Sequence, residues 1–146
     1  MEDVEEAIVK ADQAWRKPEW RNSLPHERAK ILYRVADIIE SRVDELSKLQ
    51  TRDNGKPLSE TRALVMSAAA TARFNAAACE TFNEELTTQR ATDFMTMSVH
   101  EPVGVIAAIT PWNSPIASEV QKLAPAIAAG NAVILKGGSD CLASNR

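Results

Sequence analysis

The chain has 146 residues, 45% hydrophobic and 25% charged, with a formal net charge of -3. That is the make-up of one ordinary globular domain; it excludes a fibre or a disordered tract and offers no broad basic face to nucleic acid. Two cysteines, Cys79 and Cys141, and two histidines with no CxxC pair exclude a disulfide framework and a zinc site, so no metal is expected and a reducing compartment is.

The N-terminus, MEDVEEAIVK, is acidic where a signal peptide would be basic and then apolar, which points to the cytoplasm. Val4, Ala7, Ile8, Ala11 and Trp15 recur at helical spacing and predict a short amphipathic helix ending before Pro18. A second helix opens at Ser23-Leu24-Pro25. Its predicted apolar stripe is Ile31, Leu32, Val35, Ile38, Ile39, Val43, Leu46 and Leu49, and Asp53-Asn54-Gly55 with Pro57 behind it stops the helix. A third helix, from about Ser59 to Glu85, carries Val65, Ala68, Ala69, Ala72, Ala76 and Cys79 on one face, and so many alanines there predict close packing on another helix. In TDFMTMSV, Met95, Met97 and Val99 alternate with Phe94, Thr96 and Ser98, the pattern of a half-buried strand in an antiparallel pair.

The uncharged stretch Val103 to Ser118 is broken by Pro111 and Pro115 and is too short to span a bilayer. Val103 to Ile109 and Ala132 to Leu135 are apolar without alternation, as a sheet buried on both faces requires. Between them Ile116, Val120, Leu123, Ala124, Ile127 and Ala128 mark a helix, with Pro125 as a possible kink and Gly130 as its stop. The unit is βαβ, so its strands should be parallel and neighbouring. Two parallel strands cannot make a covered sheet. The expected fold class is therefore α/β, with N-terminal helices (1–86), an edge strand or hairpin (87–101) and a βαβ unit (102–137) forming the front part of a larger domain.

The turn after the first of these strands is TPWNSP and not GxGxxG, so glycine-assisted pyrophosphate binding at a helix N-terminus does not apply. Trp112 and Asn113 fall at the carboxyl end of a parallel strand, where open α/β sheets bind ligands. Read from the residues alone, Asn113 serves equally well as a helix cap and Trp112 as a packing residue. For Lys136, at the end of an apolar strand, a solvated terminus is the alternative to a ligand-facing role.

HEPVGVIAAITPWNSPIASEVQKLAPAIAAGNAVILK, together with LPHERAKILYRVADIIE and DNGKPLSE upstream, resembles the aldehyde dehydrogenase superfamily over nearly the whole chain. The resemblance implies a Rossmann-like coenzyme-binding domain, here incomplete, with NAD or NADP as coenzyme and a small aldehyde as substrate. It implies that the Asn113 amide helps to hold the oxyanion of a cysteine thiohemiacetal. It further implies that Ile109, Thr110, Pro111 and Trp112 line the coenzyme site, and that Lys136 hydrogen-bonds the adenosine ribose with Gly138 and Ser139 bordering it. The nucleophilic cysteine and the general-base glutamate are implied beyond residue 146, so these residues alone are expected to be inactive. Neither Cys79 nor Cys141 stands in the family's nucleophile context. Members commonly form homo-oligomers. Where NAD-preferring members carry a glutamate three places after the lysine, this chain has Ser139, which implies that NADP is accepted at least as well as NAD. The tail KGGSDCLASNR resembles glutamyl-phosphate reductases, which keeps an acyl-phosphate reductase as an alternative; a non-catalytic interaction module is another.

Overall fold

The computed structural model describes residues 2–89 and 91–138. Helix α1 (Glu2–Trp15) is followed by a single turn, α2 (Pro18–Arg21), which no sequence pattern announces, and by α3 (Pro25–Ser41), α4 (Val43–Asn54) and α5 (Leu58–Thr81). Strand β1 (Val105–Ile109), helix α6 (Pro115–Ala128) and strand β2 (Ala132–Lys136) complete it.

Pro25 occupies the first helical position of α3 and presets its φ, while the Glu27 carboxylate accepts the Leu24 backbone N–H at 2.8 Å. The long second helix expected from the sequence is in fact two, broken at Arg42 (φ -114°, ψ 18°). Its buried face is also rotated from the expected stripe. Ala29, Leu32, Ala36, Ile39, Val43, Ser47 and Gln50 are buried, whereas Ile31, Ile38 and Leu49 are exposed. The partner explains the rotation. Both helices pack on α5, whose facing side is Val65, Ala68, Ala69, Ala72 and Ala76. So flat a surface admits close approach of the face that carries Ala29 and Ala36, with Leu32, Ile39 and Val43 packed between them.

Helix α5 buries the face expected of it, Cys79 included, but stops at Thr81, four residues early, with Phe82 already extended (φ -69°, ψ 122°). The expected half-buried strand after it is not formed. One antiparallel bridge joins Leu86 to Met97, flanked by Thr87 N–H to the Thr96 carbonyl at 3.1 Å and Ser98 N–H to the Glu85 carbonyl at 3.0 Å. The pairing direction is as expected, but Met95 is 75% exposed and Met97 and Val99 are exposed too. No described element packs on this ribbon, so its alternation has nothing to bury against.

The βαβ unit forms as expected. Strands β1 and β2 pair in parallel, Val105 opposite Ala132 through Ile109 opposite Lys136. Helices α1 and α6 both pack on these strands but not appreciably on each other, which places them on opposite faces and accounts for the absence of alternation. Pro125 lies inside α6. Asn131, 3% exposed, holds the entry to both strands: its Oδ1 accepts the Gly104 N–H at 3.0 Å and its Nδ2 donates to the Ala126 carbonyl at 3.2 Å. Arg28 Nε donates to the Ala128 carbonyl at 2.9 Å and Trp20 Nε1 to that of Gly130 at 3.1 Å, so α2 and α3 pin the turn that launches β2.

Candidate functional site at the carboxyl ends of the parallel strands

At the carboxyl end of the sheet the Thr110 N–H donates to the Lys136 carbonyl at 3.1 Å, carrying the parallel ladder one step past β1. This brings Ile109, Thr110, Pro111 and Trp112 beside Lys136 and Gly138. Thr110 is 3% exposed, and its Oγ1 is buried with no hydrogen-bond partner among the described residues. Ile109, Pro111, Trp112, Asn113 and Lys136 are exposed. Among the described residues neither the Lys136 ammonium nor the Asn113 side-chain amide has a hydrogen-bond or ion-pair partner. Apolar side chains, an orphaned buried hydroxyl, a cation and an amide therefore lie close along the chain at this strand end, the candidate crevice. Ser139, expected to border it, lies outside the described residues, as does Cys141.

The helix-cap role for Asn113 does not hold. Ser114 is the N-cap of α6 and makes no side-chain cap bond, and Pro115 takes the first helical position. Asn113 stands one residue outside, with its side chain uncommitted beside the positive end of a 14-residue helix. Its carbonyl accepts Asn54 Nδ2 at 3.3 Å, and Asn54 Oδ1 accepts the Lys56 N–H at 3.1 Å. The sequence marked Asn54 only as a helix stop. Its second role, bracing the turn from the end of α4, spans 59 residues and has no local signal. Trp112, exposed to solvent, is not a core residue; its contact is with the β2 extension, through Gly138.

Cys79 is far from this crevice. Its Sγ donates to the carbonyls of Pro25 (3.3 Å) and Ala128 (3.2 Å). Ala128 ends α6 where Asn113 precedes it, so a helix length of about 20 Å separates the two. A cavity of about 500 Å³ opens at that far end, against Arg28, Cys79, Phe82, His100 and Ala128. It shares no residue with the strand-end crevice. A second groove, about 580 Å³, runs between β1 and α6 past Ile106, Ala108, Gln121 and Lys122. Burial pushes the Glu119 carboxyl, on the second turn of α6, above its ordinary range, and its Oε1 has no partner among the described residues.

The sequence model of the aldehyde dehydrogenase family matches residues 1–144. The NADP/NAD-dependent aldehyde dehydrogenase PuuC of Escherichia coli strain K12 is 40% identical over 135 residues, which cover 92% of this chain and 27% of that protein. A betaine aldehyde dehydrogenase of Bacillus subtilis strain 168 is 35% identical, covering 92% of this chain and 28% of its own length. Among solved structures, a betaine aldehyde dehydrogenase double mutant from Staphylococcus aureus in complex with NAD+ superposes with a TM-score of 0.94 at 31% identity, over 98% of this chain and 29% of that one. The chain thus spans a little over a quarter of these relatives.

Proposed function

Because the chain belongs to the aldehyde dehydrogenase family, we propose that these residues form the N-terminal part of the coenzyme-binding domain of an enzyme that oxidises an aldehyde to a carboxylic acid with NAD or NADP. One observation carries the reading: among the described residues, the strand end bears a carboxamide (Asn113) and an ammonium (Lys136) without partners, together with an orphaned buried hydroxyl (Thr110).

The residues fit a dinucleotide. Lys136 would donate to the adenosine ribose hydroxyls, with the backbone at Gly138 and Ser139 bordering that sugar. Ile109, Thr110, Pro111 and Trp112 would form the wall beside it, and the Thr110 hydroxyl would gain the partner it lacks. The coenzyme, when bound, supplies the hydride acceptor. Asn113 acts on the substrate: its amide N–H donates to the aldehyde oxygen as that oxygen gains negative charge, assisted by the N-terminal dipole of α6. Because the amide is tied up in no other bond, it needs no rearrangement to do so.

The finer reading has NADP accepted at least as well as NAD, since Ser139 places no carboxylate where a 2′-phosphate would be repelled, and Lys136 supplies a cation nearby. It also has the protein acting as a homo-oligomer in the cytoplasm on a small aldehyde. The test is to express the complete protein and follow formation of reduced coenzyme with a panel of aldehydes and each coenzyme. Turnover with at least one aldehyde is expected. A folded protein that binds neither coenzyme overturns the reading.

A further inference from the structure

Gly55, Gly104 and Gly130 all have positive φ, so each supplies a backbone conformation that other residues adopt only with strain. Gly138 does not, and what it supplies is space. A β-carbon placed on it would lie 2.7 Å from the Trp112 backbone nitrogen and 2.9 Å from both Cα and Cβ of Trp112, where non-bonded carbons ordinarily stay about 3.5–4.0 Å apart. The atoms in the way are mainly backbone and cannot swing aside like the end of a flexible side chain. The turn they belong to is tied at both ends. Thr110 N–H is bonded to the Lys136 carbonyl, and the Asn113 carbonyl is bonded to Asn54 Nδ2.

We propose that Gly138 is a positioning residue: having no side chain, it lets the β2 extension close on the Trp112 backbone, and this contact sets the pose of Asn113 relative to Lys136. For its kinetic consequence the proposal rests on the oxyanion role given to Asn113; its geometry does not depend on that role. A methyl group at position 138 must displace the Trp112 peptide. With residues 110 and 113 both tethered, the displacement goes into rotation about the Trp112–Asn113 link and swings the Asn113 amide. Lys136 stays, because the ladder with Ile109 and Thr110 holds it. The strand end that meets the coenzyme and the turn that meets the substrate are thus coupled through one contact.

The experiment uses the complete protein. In Gly138→Ala, kcat is expected to fall by about tenfold or more, a larger factor than any rise in coenzyme Kd, which a displaced Trp112 also brings. Because the residue acts through Asn113, Gly138→Ala should cost nothing further in an Asn113→Ala background. A raised coenzyme Kd with unchanged kcat, or full additivity of the two substitutions, overturns the proposal. A crystal structure of the unsubstituted complete protein provides the arm that survives a misfolded variant. The Gly138 backbone should lie in contact with the Trp112 backbone, and a gap wide enough for a methyl group overturns it. If the contact is present and Asn113→Ala itself leaves kcat unchanged, the oxyanion role falls while the spacing role stands on the crystallographic arm.

Discussion

Asn113 and Lys136 stand out because the protein leaves both uncommitted. Other polar side chains near the sheet are committed: Asn131 uses both ends of its amide, and Arg28 spans Ser23 and Ala128. The Asn113 backbone is fastened by Asn54 beside the N-terminus of α6, which fixes where its side chain starts from; the oxyanion role proposed for it makes a direct prediction. In the complete protein Asn113→Ala is therefore expected to lower kcat about a hundredfold or more, roughly 2.7–4 kcal/mol for one preorganised donor, with coenzyme Kd nearly unchanged. Single-turnover measurements, which isolate chemistry from product release, check it; an unchanged chemical step removes Asn113 from the reaction. The placement of both residues at strand ends was legible in the sequence, because each sits in a short run, PWN or VILK, beside an apolar strand. Asn54 and the Gly138 contact were not, since each is made by residues far apart in sequence and leaves no periodic trace.

The elements were legible where a local rule acts alone. Pro25, Gly55 and Gly130 mark boundaries that the structure keeps, and the uninterrupted apolar runs became β1 and β2. The break at Arg42 was hidden for a physical reason. Buried positions 29, 32, 36, 39, 43, 47 and 50 keep the three-four spacing straight through it, so both helices face α5 and the pattern shows no seam. The two helix-ending glycines separate conformation from space. A β-carbon added at Gly55 (φ 75°) would meet nothing within 4 Å, whereas one added at Gly130 (φ 81°) would meet Pro102 Cγ at 3.0 Å, with the Arg28 guanidinium beyond it. Gly55→Ala should cost about 1–2 kcal/mol of left-handed strain, and Gly130→Ala more, because Pro102 must also move. Urea denaturation of the two variants gives the order, and equal losses would mean that the Pro102 contact yields freely. In α6, burial raises the Glu119 pKa above its unfolded value near 4.5. The stability tied to its protonated form is then complete below that value and lost as pH rises through the folded pKa. Glu119→Gln, neutral throughout, is expected to raise the midpoint of thermal unfolding at neutral pH, with the gain shrinking to nothing on acidification below about 4.5. A gain independent of pH would assign it to packing instead.

At the scale of the molecule, the chain buries one helical core well and leaves its sheet half dressed. Strands β1 and β2 are covered above and below by α1 and α6, yet each keeps an unpaired edge, since the two-stranded sheet consists of β1 and β2 alone among the described residues. Val103, leading into β1, is 87% exposed, and on α5 Phe74 is 72% exposed and Met66 exposed as well. Exposed alanines at 63, 70 and 77 extend this surface, making an apolar strip on α5 opposite its buried side. Unpaired edges template strand addition, and contiguous apolar surface recruits partners. The 146 residues by themselves are therefore expected to bind a hydrophobic dye and to associate as concentration rises. Phe74→Glu should reduce the dye signal by placing a charge in the middle of the α5 face. Lysine substitution at Val103 should act on the sheet edge without disturbing that face, so the two effects should add. Equilibrium sedimentation with dye titration decides the matter. A monomer at every concentration, with no dye bound, would show that these surfaces are dressed by the chain itself and that the exposed α5 face and strand edges are not sites of association.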